Sequence, residues 1–225
     1  MNEGIFTYTK AHLAVLFEEQ LAILQAASTQ IVTISALLKQ KEAVIAKASE
    51  MIFAESYIPF IPVIPREWRT PLDQVVFLHE ENKGFCRIES QDIWNNQEMP
   101  QKPYYIFNVE DGAALRRENP NAHEHHLDES GRRFLTAEEI INLALQGEVL
   151  RRHWLVAPAS GCQALADDGS IVKGWPFLVR GSHSVIMQCV HPSNLQKMAS
   201  RFSYDWGVPT CFKESYNSNI TPAAD

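Results

Sequence analysis

Residues 104–147 read YYIFNVEDGAALRRENPNAHEHHLDESGRRFLTAEEIINLALQG, and most of what can be said of the fold follows from this stretch. Tyr104 to Val109 is a run of aromatic and branched residues interrupted only by Asn108, the pattern of a strand buried on both faces. Glu110-Asp111-Gly112 ends it. Asp-Gly is a turn signal, because glycine accepts positive φ and aspartate bonds its own local backbone. Asn119-Pro120 predicts a helix start, with asparagine as cap and proline pre-set for the first helical position. That helix is expected to end at Gly131. Thr136-Ala137-Glu138-Glu139 is a capping box, in which the threonine oxygen and the Glu139 carboxylate satisfy each other's backbone N–H groups. Ile140, Ile141, Ala144 and Leu145 then give the apolar face of a helix that stops at Gly147.

Working toward the N-terminus, Lys10 to Ala54 holds neither proline nor glycine. A seven-residue spacing joins Phe17, Leu24, Ile31, Leu38, Ile45 and Ile52, while the companion row is spoiled by Gln20 and Lys41. The pattern has helical period with a weak coiled-coil character. It predicts a long helix paired with its copy, or helices that break near Ala26-Ala27-Ser28-Thr29 and pack on the rest of the chain. An apolar stripe needs cover in either case, since an isolated helix is rarely stable by propensity alone. Tyr57 to Pro65 reads YIPFIPVIP. Proline removes a ladder donor, so this is an extended edge or a polyproline-like segment at the boundary of arm and domain, a core-packing strap or else a docking strand for a partner.

Toward the C-terminus, Thr70-Pro71 predicts a helix reaching about His79, Glu80–Gly84 a turn and Phe85–Glu89 a strand. Asp92–Lys102 reads as loop. Trp154–Ala157 is a short strand, Ser160-Gly161-Cys162 a turn, and Gln163–Val179 a hairpin about Asp167-Asp168-Gly169, broken at Gly174-Trp175-Pro176. Val185–Val190 is a strand, Ser193–Phe202 a short helix, and the tail from Tyr216 is polar. The expected architecture is α+β, a mixed or antiparallel sheet with short helices, preceded by a long N-terminal helical arm. The divisions are 1–55 for the arm, 56–215 for the domain and 216–225 for a flexible tail.

Composition narrows the function. With 45% hydrophobic residues and 225 in all, the chain can bury a sizeable core. A formal charge of −7 disfavours nucleic acid, which demands many cationic contacts. No stretch reaches membrane-spanning length, and no secretory leader is legible, so the expected setting is cytoplasmic. Cys86, Cys162, Cys189 and Cys211 form no CxxC pair and read as free thiols. Cys162 or Cys189 beside His183 or His191 would allow a thiol–imidazole pair, although no nucleophile motif demands one.

In their order, IPFIPVIP, YYIFNVEDG, GRRFLTAEE and the strand-turn-strand about Asp168-Gly169 resemble an uncharacterised family of bacterial proteins. The resemblance spans Ile58 to Cys189. It implies motif positions for Asp111, Gly112, Gly131, Arg132, Leu135 and Thr136. It carries no activity, and the arm, the histidine cluster and the residues after Cys189 lie outside it.

Two constellations remain. His123, His126 and Glu129 would share one helix face, and imidazole with carboxylate suits zinc or iron, but the segment matches no established ligand spacing and reads first as a solvated helix. No cofactor is expected from the motifs; a divalent metal at the histidines is the one candidate. Asp111, Arg132, Arg133 and Thr136 form the second group. Either the aspartate and an arginine brace the corner, or the arginines and the helix N-terminus hold an anion. The chain therefore reads as a non-catalytic binding or protein-interaction module. Its expected partners are a second copy met through the N-terminal helix, another protein, or a small anionic ligand. The alternative is a small metal-assisted or hydrolytic enzyme with a site near the His123–His126 cluster and Arg132.

Overall fold

A computed structural model describes residues 5–27, 30–78, 84–165, 170–181, 184–195 and 205–213. The N-terminal stretch is three helices rather than one long one. After strand β1 (Ile5–Phe6) come α1 (Lys10–Ala26), α2 (Ile31–Leu38) and α3 (Lys41–Ser49), and β2 (Phe53–Ala54) then pairs antiparallel with β1. Thr9 caps α1 by accepting from the His12 N–H at 3.3 Å. Gln30 and Gln40 open α2 and α3 without capping them. The arm folds back on its own domain: Leu13, Phe17, Leu24, Leu37 and Val44 share one apolar cluster with Phe60, Tyr105 and Phe107. Phe17 stacks on Tyr105 at 5.4 Å. The two residues that spoil the heptad are accounted for by tertiary contacts. Gln20 is buried and donates to the Phe60 carbonyl at 2.7 Å, and Lys41 pairs with Glu18 at 2.5 Å.

The proline-rich segment is strand β3 (Ile58–Val63), followed by α4 (Pro71–Val75), β4 (Gly84–Cys86) and β5 (Ile93–Asn95). The aromatic run is β6 (Tyr104–Val109), and all six of its residues are buried. β3 pairs antiparallel with β6, Phe60 opposite Phe107 and Val63 opposite Tyr104. Among the described residues β3 has no second strand neighbour. Its prolines therefore cost few ladder bonds, as an edge permits. Next come α5 (Pro120–Glu129), β7 (Arg132–Phe134), α6 (Ala137–Gln146) and α7 (Val149–Arg152). α6 is buried on all sides from Ala137 to Ala144, including Glu138, Glu139 and Asn142. Asn142 is satisfied by donating to Gln74 Oε1 at 2.9 Å, and Glu138 by Arg66 and Asn95.

The remaining strands are β8 (Trp154–Val156), β9 (Ser160–Leu165), β10 (Ile171–Arg180), β11 (Val185–Val190), β12 (Trp206–Gly207) and β13 (Thr210–Phe212). The largest sheet runs β12-β8-β10-β11-β4, with β9 and β5 joined to it through β10. β4–β11 and β12–β8 are parallel and the other pairs antiparallel, so the fold is α+β with a mixed sheet. β10 is unbroken at the expected fault, but it changes partner there. Gly174 faces Cys162 of β9, while Trp175 faces Val190 of β11. Gly174 is required by close approach, since a Cβ would lie 1.9 Å from the Val190 carbonyl oxygen.

Two expectations are corrected. The segment at Ser160–Cys162 opens β9 instead of turning, and the loop over Asp92–Lys102 contains β5, which pairs with β9. The hairpin tip at Asp167–Gly169, the turn at 79–83, most of the helix expected over Ser193–Phe202 and the tail lie outside the described residues. No helix among the described residues is long and apolar enough to cross a membrane.

Candidate functional site

The Asp-Gly corner forms where the sequence places it. Gly112 has φ +99°, and a Cβ there would meet the Gly207 carbonyl carbon at 2.8 Å. The glycine thus serves both the turn and the passage of β12. Gly207 is equally confined, its own Cβ position lying 2.5 Å from the Gly112 oxygen and from His153 Cδ2. Asp111 is buried, and its carboxylate does not brace Arg132 or Arg133. Oδ1 accepts from the Ala113 N–H at 3.0 Å, and Oδ2 pairs with Arg152 at 2.6 Å. Its carbonyl accepts from His153 Nε2 at 2.9 Å. An Nε2–H donor leaves Nδ1 bare in the neutral ring, and Nδ1 is buried with no hydrogen-bond partner among the described residues. Burial pushes the His153 pKa below its ordinary value, against the opposing pull of Asp111.

Arg133 and Thr136 belong to Glu139. The capping box is complete: Glu139 Oε2 accepts from the Thr136 N–H at 2.9 Å, and Thr136 Oγ1 accepts from the Glu139 N–H at 3.4 Å. The same carboxylate takes both Arg133 Nη groups at 2.7 Å, a two-pronged pair with the carboxylate fully buried. Ser160 Oγ accepts from the Ala137 N–H at 2.8 Å. The Arg133 Nη groups and the Thr136 and Ala137 N–H groups, which were to hold an anion at this helix start, are thus bonded to the chain's own oxygens.

Arg132 is the hub of a separate junction. β7 pairs with β13, and Glu110 bridges to Thr210, so three strands meet side by side. Arg132 Nη2 donates to the Asn108 carbonyl at 2.9 Å and to Thr210 Oγ1 at 2.9 Å, and Nε donates to Thr210 Oγ1 at 3.1 Å. Its guanidinium carbon lies 4.8 Å from the Tyr57 ring centre and 5.5 Å from that of Phe212. A cation held between two rings and bonded to carbonyls is well compensated for its burial.

Two residues of this junction were not singled out as site residues from the sequence. Asn108 sits at φ +52° within β6, a strained conformation for a residue with a side chain. Glu110 is 3% exposed. Its Oε1 accepts from the Ala114 N–H at 2.8 Å. Asn108 Oδ1 and Glu110 Oε2 are both buried without a hydrogen-bond partner among the described residues. Burial pushes the Glu110 pKa above the usual carboxylate range, with Ala114 and Gly112 amides and Arg132 opposing it. The signal was legible as the one polar break in an otherwise apolar run.

The metal candidates do not converge. On α5, His123 approaches Glu118 at 3.4 Å, and it is His125, not His123 or His126, that faces Glu129, at 3.6 Å. Only Pro120 and Leu127 of α5 are buried, so the helix lies on the surface with its polar side outward. Among the described residues no three His, Cys, Asp or Glu side chains come together as a metal-holding group. Surface clefts of about 220 and 320 Å³ open elsewhere, one between Leu78 and Arg151, the other beside Glu118, His191 and Trp206. Neither is lined by Asp111, Arg132, Arg133, Thr136 or the candidate metal ligands.

No family model, curated protein or solved structure matches the chain.

Proposed function

We propose that this protein is a non-catalytic interaction module whose N-terminal helices dock against a second copy of the chain. The observation that carries the reading is where its apolar surface lies. Among the described residues, the large exposed apolar side chains concentrate in the first fifty-two: Ile31, at 88% exposure, with Val32, Leu38 and Val15, and Ile5, Phe6 and Ile52 about the β1–β2 ribbon. Elsewhere there are Leu72, Phe85, Trp94 and Ile171. The heptad row is divided by the fold. Phe17, Leu24 and Ile45 face inward, while Ile31, Leu38 and Ile52 face outward.

Charge supports a like partner. No charged residue stands between Glu19 and Lys39 in the sequence, so the α2 surface is uncharged in a chain of net charge −7. Copies of such a chain repel one another over most of their surface and least here. Depletion of charge at an apolar centre is also the composition of interface cores, and a two-fold arrangement pairs the same patch with itself.

Size-exclusion chromatography with light scattering tests this on the full chain. A dimer that Ile31→Asp with Val32→Asp converts to a folded monomer is the expected result. A wild-type chain that stays monomeric at its highest soluble concentration would refute the reading.

A further inference from the structure

Four cysteines spread over the sequence look unrelated, but the fold gathers three of them near one end of the sheet. Cys162 on β9 lies opposite Gly174, and Cys189 on β11 lies opposite Pro176, so β10 brings both to one locality. Gly174, with no side chain, lets β11 close against β10 at that point. Cys189 Sγ comes to 3.6 Å from the Cys162 carbonyl oxygen and 3.7 Å from that of Val172, so the two cysteines are neighbours across the strands. None of the four cysteines is in a disulfide.

The two sulfurs are not equivalent. Cys162 is buried completely, whereas Cys189 is half-buried. As a thiol, Cys189 donates weakly to the nearby carbonyls. As a thiolate it accepts from the Cys162 S–H, which favours its ionised form against the effect of burial. Donating that bond, and then burial, hold the proton on Cys162. Cys86 is also close, but its thiol donates to the Ile88 carbonyl at 3.1 Å, and burial pushes its pKa up. A half-exposed cysteine whose ionised form is favoured, with a second thiol beside it, is the arrangement found at oxidisable cysteine sites.

We propose that Cys189 is an oxidation site and Cys162 its resolving thiol, the pair closing to a disulfide between β9 and β11 when the protein meets a hydroperoxide. The Cys189 thiolate attacks one peroxide oxygen, the O–O bond breaks, and Cys189 sulfenic acid and hydroxide form. The Cys162 sulfur then attacks the sulfenic sulfur, the S–O bond breaks, and the oxygen leaves as water with the Cys162 proton. The hydroxide takes up the proton first lost from Cys189. In sum two thiols are oxidised by two electrons, and one hydrogen peroxide becomes two waters.

The test is peptide mapping of the reduced full chain after graded hydrogen peroxide and alkylation with N-ethylmaleimide. The expected product is a Cys162–Cys189 cross-linked peptide, reversed by dithiothreitol, with Cys86 and Cys211 still alkylated after denaturation. In Cys162→Ser, Cys189 is expected to stop as a sulfenic acid that dimedone captures. Should that buried substitution fail to fold, Cys189→Ser at the half-buried position serves, with no disulfide expected at Cys162. The proposal is overturned if wild type leaves both thiols alkylatable, if Cys189 passes to sulfinic acid with Cys162 untouched, or if the bond formed contains Cys86 or joins two chains.

Discussion

The corner around Glu139 and the three N-terminal helices are built on opposite terms. At the corner, a short segment of sequence supplies its own partners: Thr136, Glu139 and Arg133 lie within seven residues and bond to one another in the interior. In the arm, α2 and α3 start without side-chain caps, and what fixes them is distant, as when Gln40 donates to the Pro103 carbonyl at 2.7 Å. The first region leaves little for a ligand to bind. The second buries one face and leaves an uncharged apolar one outside. A motif dense in charged residues can thus be bonded within itself, while a stretch without a charge carries exposed apolar side chains.

Substitutions can break this contrast or sharpen it. The largest effect is expected from Glu139→Ala, which strands the buried Arg133 charge and opens the cap. Removing one member of a buried pair costs about 3–5 kcal/mol, to be read from urea unfolding. Phe17→Ala should cost about 3 kcal/mol, since its ring is fully buried between arm and domain. Because the arm shares its core with β3 and β6, this loss should appear as one cooperative transition, and a separate early transition would show the arm to be an independent unit. Thr136→Ala removes the hydroxyl of the capping box and should cost about 1 kcal/mol.

His153 should make stability fall gradually with acid. Its folded pKa lies below the ordinary value of about 6.5, so the unfolded chain binds more protons in this range. Its contribution is complete above the unfolded value and is lost as pH falls through the folded one. His153→Gln, whose amide can still donate to Asp111, should flatten that part of a midpoint-against-pH profile. The smallest effect on stability is expected from the exposed pair Ile31→Asp with Val32→Asp, within about 0.5 kcal/mol by chemical denaturation at concentrations dilute enough for the wild type to be monomeric.

The parts of the fold legible in the sequence were those specified by near neighbours. The Thr136 box, the Asn119-Pro120 start, the Asp-Gly corner and the doubly buried β6 each depend on residues within a few positions. β12 and β13 carried no such mark. Trp206-Gly207 and Thr210–Phe212 are strands because β8 and β7 lie beside them, and nothing within the segment records that. The candidate site misled for the same reason. Asp111 faces Arg152 across forty positions, so the pairing of an aspartate with one of several arginines was fixed by topology and not by spacing. The meeting of Cys162 with Cys189 was invisible likewise, since it depends on β10 changing partners at Gly174.

The junction at Arg132 also sets an order of events during synthesis. Among the described residues β7 pairs with β13 alone, and Arg132 finds its hydroxyl in Thr210, 78 residues further on. While the ribosome is making the strands between, this arginine has no Thr210 to bond and Glu110 no bridging strand. Ring closure over so long a separation is slow compared with forming the helices that flank it. The junction therefore cannot close until Thr210 has been made, and until then Arg132 lacks the hydroxyl that receives it in the folded chain.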